Sequence, residues 1–214
     1  YVRHLVSGSI IGNPLFGGKT DILFIGHRRR KKLEDGEWWD IYCDPILDGL
    51  ETNYSYLQAR HKGEYKQPSK TDEIGRMDLF EYLPSVLNKL NPYRISQDDE
   101  KYFEEVERKF REEFEEEIEV KKYLKNYMGI RRYKKPLIEA LLKKREPQCL
   151  IVVVSYGRQI IIEAAKELEI PVVELQHGVI NKYHKGYSYP GDREKEAFPD
   201  YLLTFGEYWN NIEY

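Results

Sequence analysis

The chain holds 214 residues with a formal net charge of −3 and 33% charged side chains. That is room for one substantial domain, and the dense but balanced charge argues against a general nucleic-acid binder, so no nucleic-acid partner is expected. No stretch reaches the ~18 consecutive apolar residues of a membrane-spanning helix, no signal-peptide pattern opens the chain, and the two cysteines, Cys43 and Cys149, have neither C-x-x-C spacing nor a metal-ligand pattern; a reduced, cytoplasmic protein is the simplest expectation.

Residues 4–11 are apolar enough for a strand or a short helix. The segment 12–20, GNPLFGGKT, superficially resembles a phosphate-binding loop. It fails on two counts: the required first glycine falls on Asn13, and the residues after Thr20 are strand-like rather than helical. An ordinary Gly-Pro turn is expected instead. Residues 21–26 (DILFIG) form the first clear strand, followed by the basic run His27 to Lys32 and an Asp35-Gly36 turn signal. Residues 38–45 (WWDIYCDP) include a short strand, whereas 51–76 are polar and irregular with weak strand potential. Residues 78–90 are helical and end at Asn91-Pro92. Ser96 and the acidic residues after it cap a long helical region, as an N-cap oxygen and the helix dipole favour. Its apolar stripe is Phe103, Val106, Phe110, Phe114, Ile118 and Tyr123, and its acidic stretch 112–119 reads as a solvated face. A further helix is expected over 135–144. The helical block, about 78–147, is read as an insertion between sheet elements or a cap over a crevice.

The most informative stretch is 150–178. Residues 150–154 are five consecutive apolar side chains, four of them β-branched, which suggests a strand buried on both faces of a parallel sheet. Ser155-Tyr156-Gly157 breaks the run. Ile160, Ile161, Ala164, Ala165 and Leu168 then recur at helical spacing, Pro171 stops the helix, and 172–175 supply a second strand. This is a β-α-β unit, with the two strands expected side by side and parallel. Ligands in such sheets bind beyond the carboxyl ends of the strands, and those ends carry Ser155-Tyr156-Gly157-Arg158 and Gln176-His177-Gly178. A polar, aromatic loop comes next over 179–199, then a strand at 200–205 (DYLLTF). A helix begins at Tyr208, which raises the expectation that the natural protein continues past Tyr214. The fold class is α/β: a Rossmann-like, mostly parallel sheet with a helical insertion, forming one domain over 1–214.

Three groups are candidates for chemistry. A histidine titrates near neutrality and suits a base, and Gly178 lets the backbone approach a ligand. At the start of the helix after the first strand, free N–H groups at Ser155, Tyr156 and Gly157 favour an anion, with Arg158 able to add a bidentate contact. In the loop, His184, Lys185, Tyr187 and Tyr189 offer rings that stack on sugars and cations that pair with phosphate. Arg28 to Lys32 either reach the same crevice, attracting an anionic acceptor, or form a solvated charge run, the commoner case. Trp38, Trp39, Asp40 and Asp44 are read as core and turn residues rather than an acceptor groove.

The residues from Pro171 to Trp209, PVVELQHGVINKYHKGYSYPG followed by FPDYLLTFGEYW, resemble the end of the N-terminal domain of GT-B-type glycosyltransferases, closest to surface (capsule-type) polysaccharide enzymes. The match covers about a quarter of the chain strongly, and DILFIGH and DIYCDP resemble the same group more loosely. The resemblance implies transfer of a sugar from a nucleotide-sugar donor to a glycan or lipid-linked acceptor. Related glycerophosphate polymerases carry a Trp-His-Gly motif whose His is the catalytic base; His177-Gly178 occupies the like position, with Gln176 in place of Trp. Carried over, His177 is catalytic; from their own chemistry and their place at the strand ends and in the loop, Ser155, Tyr156, Gly157, Arg158, Gln176, Gly178, His184, Lys185 and Tyr187 are the substrate-binding candidates. The second, donor-binding domain of that architecture is absent from these 214 residues, so the isolated domain is expected to have little activity. No Asp-x-Asp metal signature appears, and neither a metal nor a cofactor is expected. A cytoplasmic location is implied, with peripheral attachment at the inner face of the membrane as an option for a lipid-linked acceptor. Two other readings stay open: a nucleotide-sugar epimerase of the same architecture, and a non-catalytic glycan- or nucleotide-binding module.

Overall fold

The computed structural model describes residues 10–71, 74–188, 191 and 195–211. The segment 4–9, Tyr189 and the chain end 212–214 lie outside the described residues, so the expectations made there carry no structural account. The elements in order are β1 (Ile22–Ile25), β2 (Lys31–Lys32), β3 (Trp38–Trp39), α1 (Asp44–Leu47), β4 (Tyr54–Gln58), β5 (Ile74–Arg76), α2 (Asp78–Leu90), α3 (Gln97–Phe114), α4 (Val120–Arg145), β6 (Cys149–Val153), α5 (Gln159–Glu167), β7 (Val172–Leu175), β8 (Tyr201–Leu203) and α6 (Glu207–Asn210). Residues 12–20 hold only a 3-10 turn, Pro14–Phe16, capped by the Asn13 side chain.

Six strands form one sheet in the order β5-β4-β1-β6-β7-β8, and every pairing is parallel. The fold is therefore α/β and Rossmann-like. The apolar runs explain why the central strands are covered on both faces: Leu23, Phe24, Leu150, Val152 and Val153 have no exposed surface. Strand alternation divides the core in two. On one face Leu23, Ile25, Leu57, Leu150, Val152 and Val172 pack against Phe80 of α2, Ile138, Leu141 and Leu142 of α4, and Ile161, Ala164 and Ala165 of α5. On the other, Phe24, Tyr56, Ile151, Val153 and Leu175 pack against Cys43 and Leu47.

The chain runs outward from β1 to β4 and β5, then returns through the helices to β6 on the other side of β1. Strand order thus reverses between β1 and β6, the position where an open α/β sheet forms a crevice. The expected neighbours β6 and β7 are parallel and in register from Leu150 opposite Val172 to Val153 opposite Leu175.

Three elements differ from the sequence reading. Segment 51–76, read as irregular, supplies two sheet strands, β4 and β5. The long helical region breaks after Phe114, where Glu115 takes a left-handed conformation (φ 54°). The expected helix over 135–144 begins much earlier and carries Pro136 inside it. The helical block is also not all insertion, since α2 and the later part of α4 are core layers of the sheet, while α3 buries no residue. The α3 helix leans on the start of α4, where Lys121 pairs with Glu100 and Glu104, and Glu107 accepts the Lys121 N–H. Among the described residues no helix is long and apolar enough to cross a membrane.

Candidate functional site

The carboxyl ends of β1, β6 and β7 converge. His27 comes after β1, Ser155 to Arg158 after β6, and Gln176 to Gly178 after β7. Side chains stitch the three ends together. Arg158 Nη2 donates to the Gly26 carbonyl (3.1 Å), tying β6 to β1. Tyr42 packs edge-on against the His27 ring (centroids 5.2 Å apart) and its hydroxyl donates to the His177 carbonyl (2.9 Å), tying β1 to β7. The Tyr156 hydroxyl lies 2.9 Å from His177 Nε2, tying β6 to β7.

His177 is half-buried at this junction. Burial, then the neighbouring His184 and Arg29, hold its pKa below the ordinary imidazole value, so it is neutral at pH 7 and has a lone pair to offer. His27 is also depressed, to about 4, chiefly by burial; Asp40 opposes this, and Arg29, Arg158 and His177 reinforce it. Its Nδ1 accepts the Arg29 N–H (3.0 Å), which leaves the His27 proton on Nε2.

Beneath His177 sits Glu174 of β7, with 1% of its surface exposed. Its Oε1 accepts the Ser155 N–H (3.1 Å) and the Tyr187 hydroxyl. Among the described residues its Oε2 is buried with no well-formed hydrogen bond, and Ser155 Oγ lies alongside without one either. Burial pushes the Glu174 carboxyl above its ordinary pKa, with the hydrogen bonds from Tyr187 and Ser155 opposing. Tyr187 Oη is 3.4 Å from His177 Nδ1, so one line of contacts runs from the buried carboxyl to the exposed Tyr156.

The residues singled out in the sequence occupy different parts of this arrangement. Tyr156, His177, His184 and Tyr187 form one aromatic cluster, with ring centroids 4.9 Å (His184 to Tyr187) to 6.4 Å (His177 to Tyr187) apart. Tyr156 and His177 keep accessible surface, but Tyr187 has none (0%) and offers no face to a sugar; its place is under the site. Ser155 is buried and its N–H is taken by Glu174, so it is not a free anion donor. Arg158 is half-buried at the β1 end, near Glu81 and Arg28. Gln176 is buried, its amide nitrogen bonded to the Gly178 carbonyl and its oxygen to the Phe205 N–H (both 2.8 Å). It therefore braces the loop rather than facing a ligand. Lys185 is exposed. Gly157 has φ 82°, which favours glycine, whereas a Cβ on Gly178 would meet nothing within 4 Å.

Sequence reasoning missed Glu174, His27, Tyr42 and Gly186. Glu174 carried a signal, as the lone charged side chain in an otherwise apolar strand. Gly186 carried none: a Cβ there would stand 2.3 Å from the Tyr156 ring, so only glycine lets that ring lie where it does. The basic run divides. Arg28 pairs with Glu81 (3.7 Å). Arg30 turns inward and reaches Tyr56 Oη (2.5 Å), Ser69 Oγ (3.4 Å) and Asp44 (3.9 Å). Asp40 and Asp44 are buried, as expected of core and turn residues, and hold backbone N–H groups. Among the described residues no three His, Cys, Asp or Glu side chains are grouped to hold a metal ion.

A cleft of about 560 Å³ opens at the opposite, amino-terminal side of the strands, bordered by Asn13, Asn53 and Ser55. It shares no residue with the crevice described above. No family model matches the chain, and no curated protein or solved structure matches it significantly.

Proposed function

We propose that this chain is the acceptor-side half of a glycosyltransferase that moves a sugar from a nucleotide donor to a glycan or lipid-linked acceptor in surface-polysaccharide synthesis. The observation that carries the reading is the neutral, half-buried His177, with Nε2 2.9 Å from an exposed hydroxyl at the carboxyl end of a parallel strand. Sugar transfer requires a base that takes a hydroxyl proton while the diphosphate departs. The Tyr156 hydroxyl stands where an acceptor hydroxyl would be placed. The resemblance of 171–209 to GT-B-type enzymes supports the same reading, and fold alone would not. Donor binding belongs mainly to a second domain, and the reaction takes place in the cytoplasm, at the inner membrane face for a lipid-linked acceptor.

The test is to incubate the protein joined to its donor domain with nucleotide sugars, with and without glycan or lipid-linked acceptors. Nucleotide release that depends on acceptor is the expected result. A modified sugar formed without any acceptor identifies an epimerase instead. Binding without turnover under every condition identifies a non-catalytic module.

A further inference from the structure

Glu174 is a costly residue to place on a buried strand. A buried carboxyl is destabilising unless its oxygens are used, and among the described residues one of the two, Oε2, has no well-formed partner. What the carboxyl does hold is the Tyr187 hydroxyl. Oε1 accepts both the Ser155 N–H and the Tyr187 O–H, and it accepts both whether the other oxygen is ionised or protonated. The Tyr187 proton therefore points away from His177, and toward the imidazole Tyr187 shows only a lone pair. His177 Nδ1, 3.4 Å away, meets that oxygen favourably only as a donor.

We propose that Glu174 and Tyr187 are positioning residues that fix His177 as its Nδ1–H tautomer. Nε2 is then left unprotonated toward Tyr156 and the crevice. The inference deepens the reading of His177 as the base and rests on it. In the step it serves, a substrate hydroxyl passes its proton to Nε2 as its oxygen bonds to the sugar carbon, and the electron pair of the breaking bond leaves with the diphosphate. Nδ1 keeps its proton throughout, donated to Tyr187 Oη. The other tautomer would put N–H where the base must accept. Both positioning residues are buried (Glu174 1% and Tyr187 0% exposed), so ligand contact does not account for them. Among the described residues, the charged or titratable groups around the imidazole are His184, Arg29 and His27, with Glu174 behind Tyr187 and with Tyr156, Tyr187 and Tyr42 adjoining the ring.

The experiment is nitrogen-15 spectroscopy of the imidazoles in the 214-residue chain above their titration range, with amide spectra as the control for folding. Wild type is expected to show His177 protonated on Nδ1. In Glu174→Leu the Tyr187 hydroxyl loses its acceptor and turns to Nδ1, so the proton moves to Nε2. Glu174→Gln keeps a carbonyl oxygen for Ser155 and Tyr187 and retains the wild-type tautomer. Tyr187→Phe removes the fixing contact and gives a mixture. A wild-type His177 protonated on Nε2, or a tautomer unchanged in both Glu174→Leu and Tyr187→Phe, overturns the proposal. If Glu174→Leu does not fold, Tyr187→Phe decides alone. No substrate is involved, so this result is independent of turnover. Loss of the tautomer pattern sinks the positioning role, whereas an intact pattern with a catalytically neutral His177→Ala variant sinks the reading of His177 as base.

Discussion

Replacing Arg30 by methionine removes a cation from one of the most enclosed polar clusters in the protein. The side chains of Arg30 and Asp44 are each 2% exposed. Arg30 lies over the Tyr56 ring (5.1 Å), and Tyr56 donates to Asp40 (2.6 Å). Asp40 in turn accepts the N–H groups of His27, Tyr42 and Cys43, so the cluster anchors the loop that carries the crevice rim. Methionine fills similar volume but leaves the buried Asp44 carboxyl without its cation. Breaking a buried pair in this way costs roughly 3–5 kcal/mol, a large part of the 5–15 kcal/mol typical of a whole domain. The assay is urea unfolding at pH 7, where the midpoint should fall with an unchanged slope. Asp44 already has a raised pKa, from burial, opposed by its hydrogen bonds to Thr71 and Asp40 and by Arg30. Losing Arg30 raises it further. A carboxyl whose pKa is higher folded than unfolded is stabilising below its unfolded pKa and loses that contribution as pH rises. The deficit of the variant should therefore shrink as pH falls toward 4. The double change Arg30→Met with Asp44→Asn should recover ~1–3 kcal/mol. A loss under ~1 kcal/mol at pH 7, or a deficit that grows on acidification, would show that Arg30 does not compensate the Asp44 carboxyl.

Three further outcomes are expected of the core and the crevice. Leu150→Ala, at a wholly buried position in β6, should cost ~2–5 kcal/mol in the same unfolding assay. Gly157→Ala forces a Cβ into the left-handed region (φ 82°) and should cost ~1–2 kcal/mol, which a calorimetric melting shift would reveal. Folding depresses the His27 pKa to about 4, mainly through burial; the native state then binds fewer protons than the unfolded chain below 6.5. Its contribution is full above that pH and is lost as pH falls toward 4, on the order of 1 kcal/mol after solvent screening. A His27→Gln variant should show a flatter stability profile across that window, and an unchanged profile would count against the assignment.

The fold was legible wherever burial and spacing agreed. Residues 150–175 could only be a buried strand, an amphipathic helix and another buried strand, and they became β6, α5 and β7. The strands β4 and β5 were not legible, because their sequences, YSYLQ and IGR, mix polar with apolar residues and owe their place to pairing with β1 and with each other. The α4 helix starts at Val120, well before residue 135, and holds Pro136 in its interior, where packing on α2 and the sheet overrides the local preference for a proline in the first turn. At the site, chain order alone grouped Tyr156 with His177, since parallel strands end on the same side. It did not separate accessible from buried: Tyr187, Ser155 and Gln176 are enclosed. Which ring faces the crevice is set by Glu174 and by the close approach of Gly186, contacts between residues 13 to 30 positions apart.

The proposed role of His177 as base is decided by the turnover of His177→Ala in the protein joined to the proposed donor domain, with the proposed nucleotide sugar and acceptor both saturating. The half-buried imidazole packs against Tyr156 and His184, so the variant's amide spectrum should first establish that the fold is kept. A general base contributes ~10²–10⁴ in rate. A kcat lower by about a hundred-fold or more, with donor affinity unchanged, is the expected result. A folded variant that turns over at the wild-type kcat would contradict the assignment.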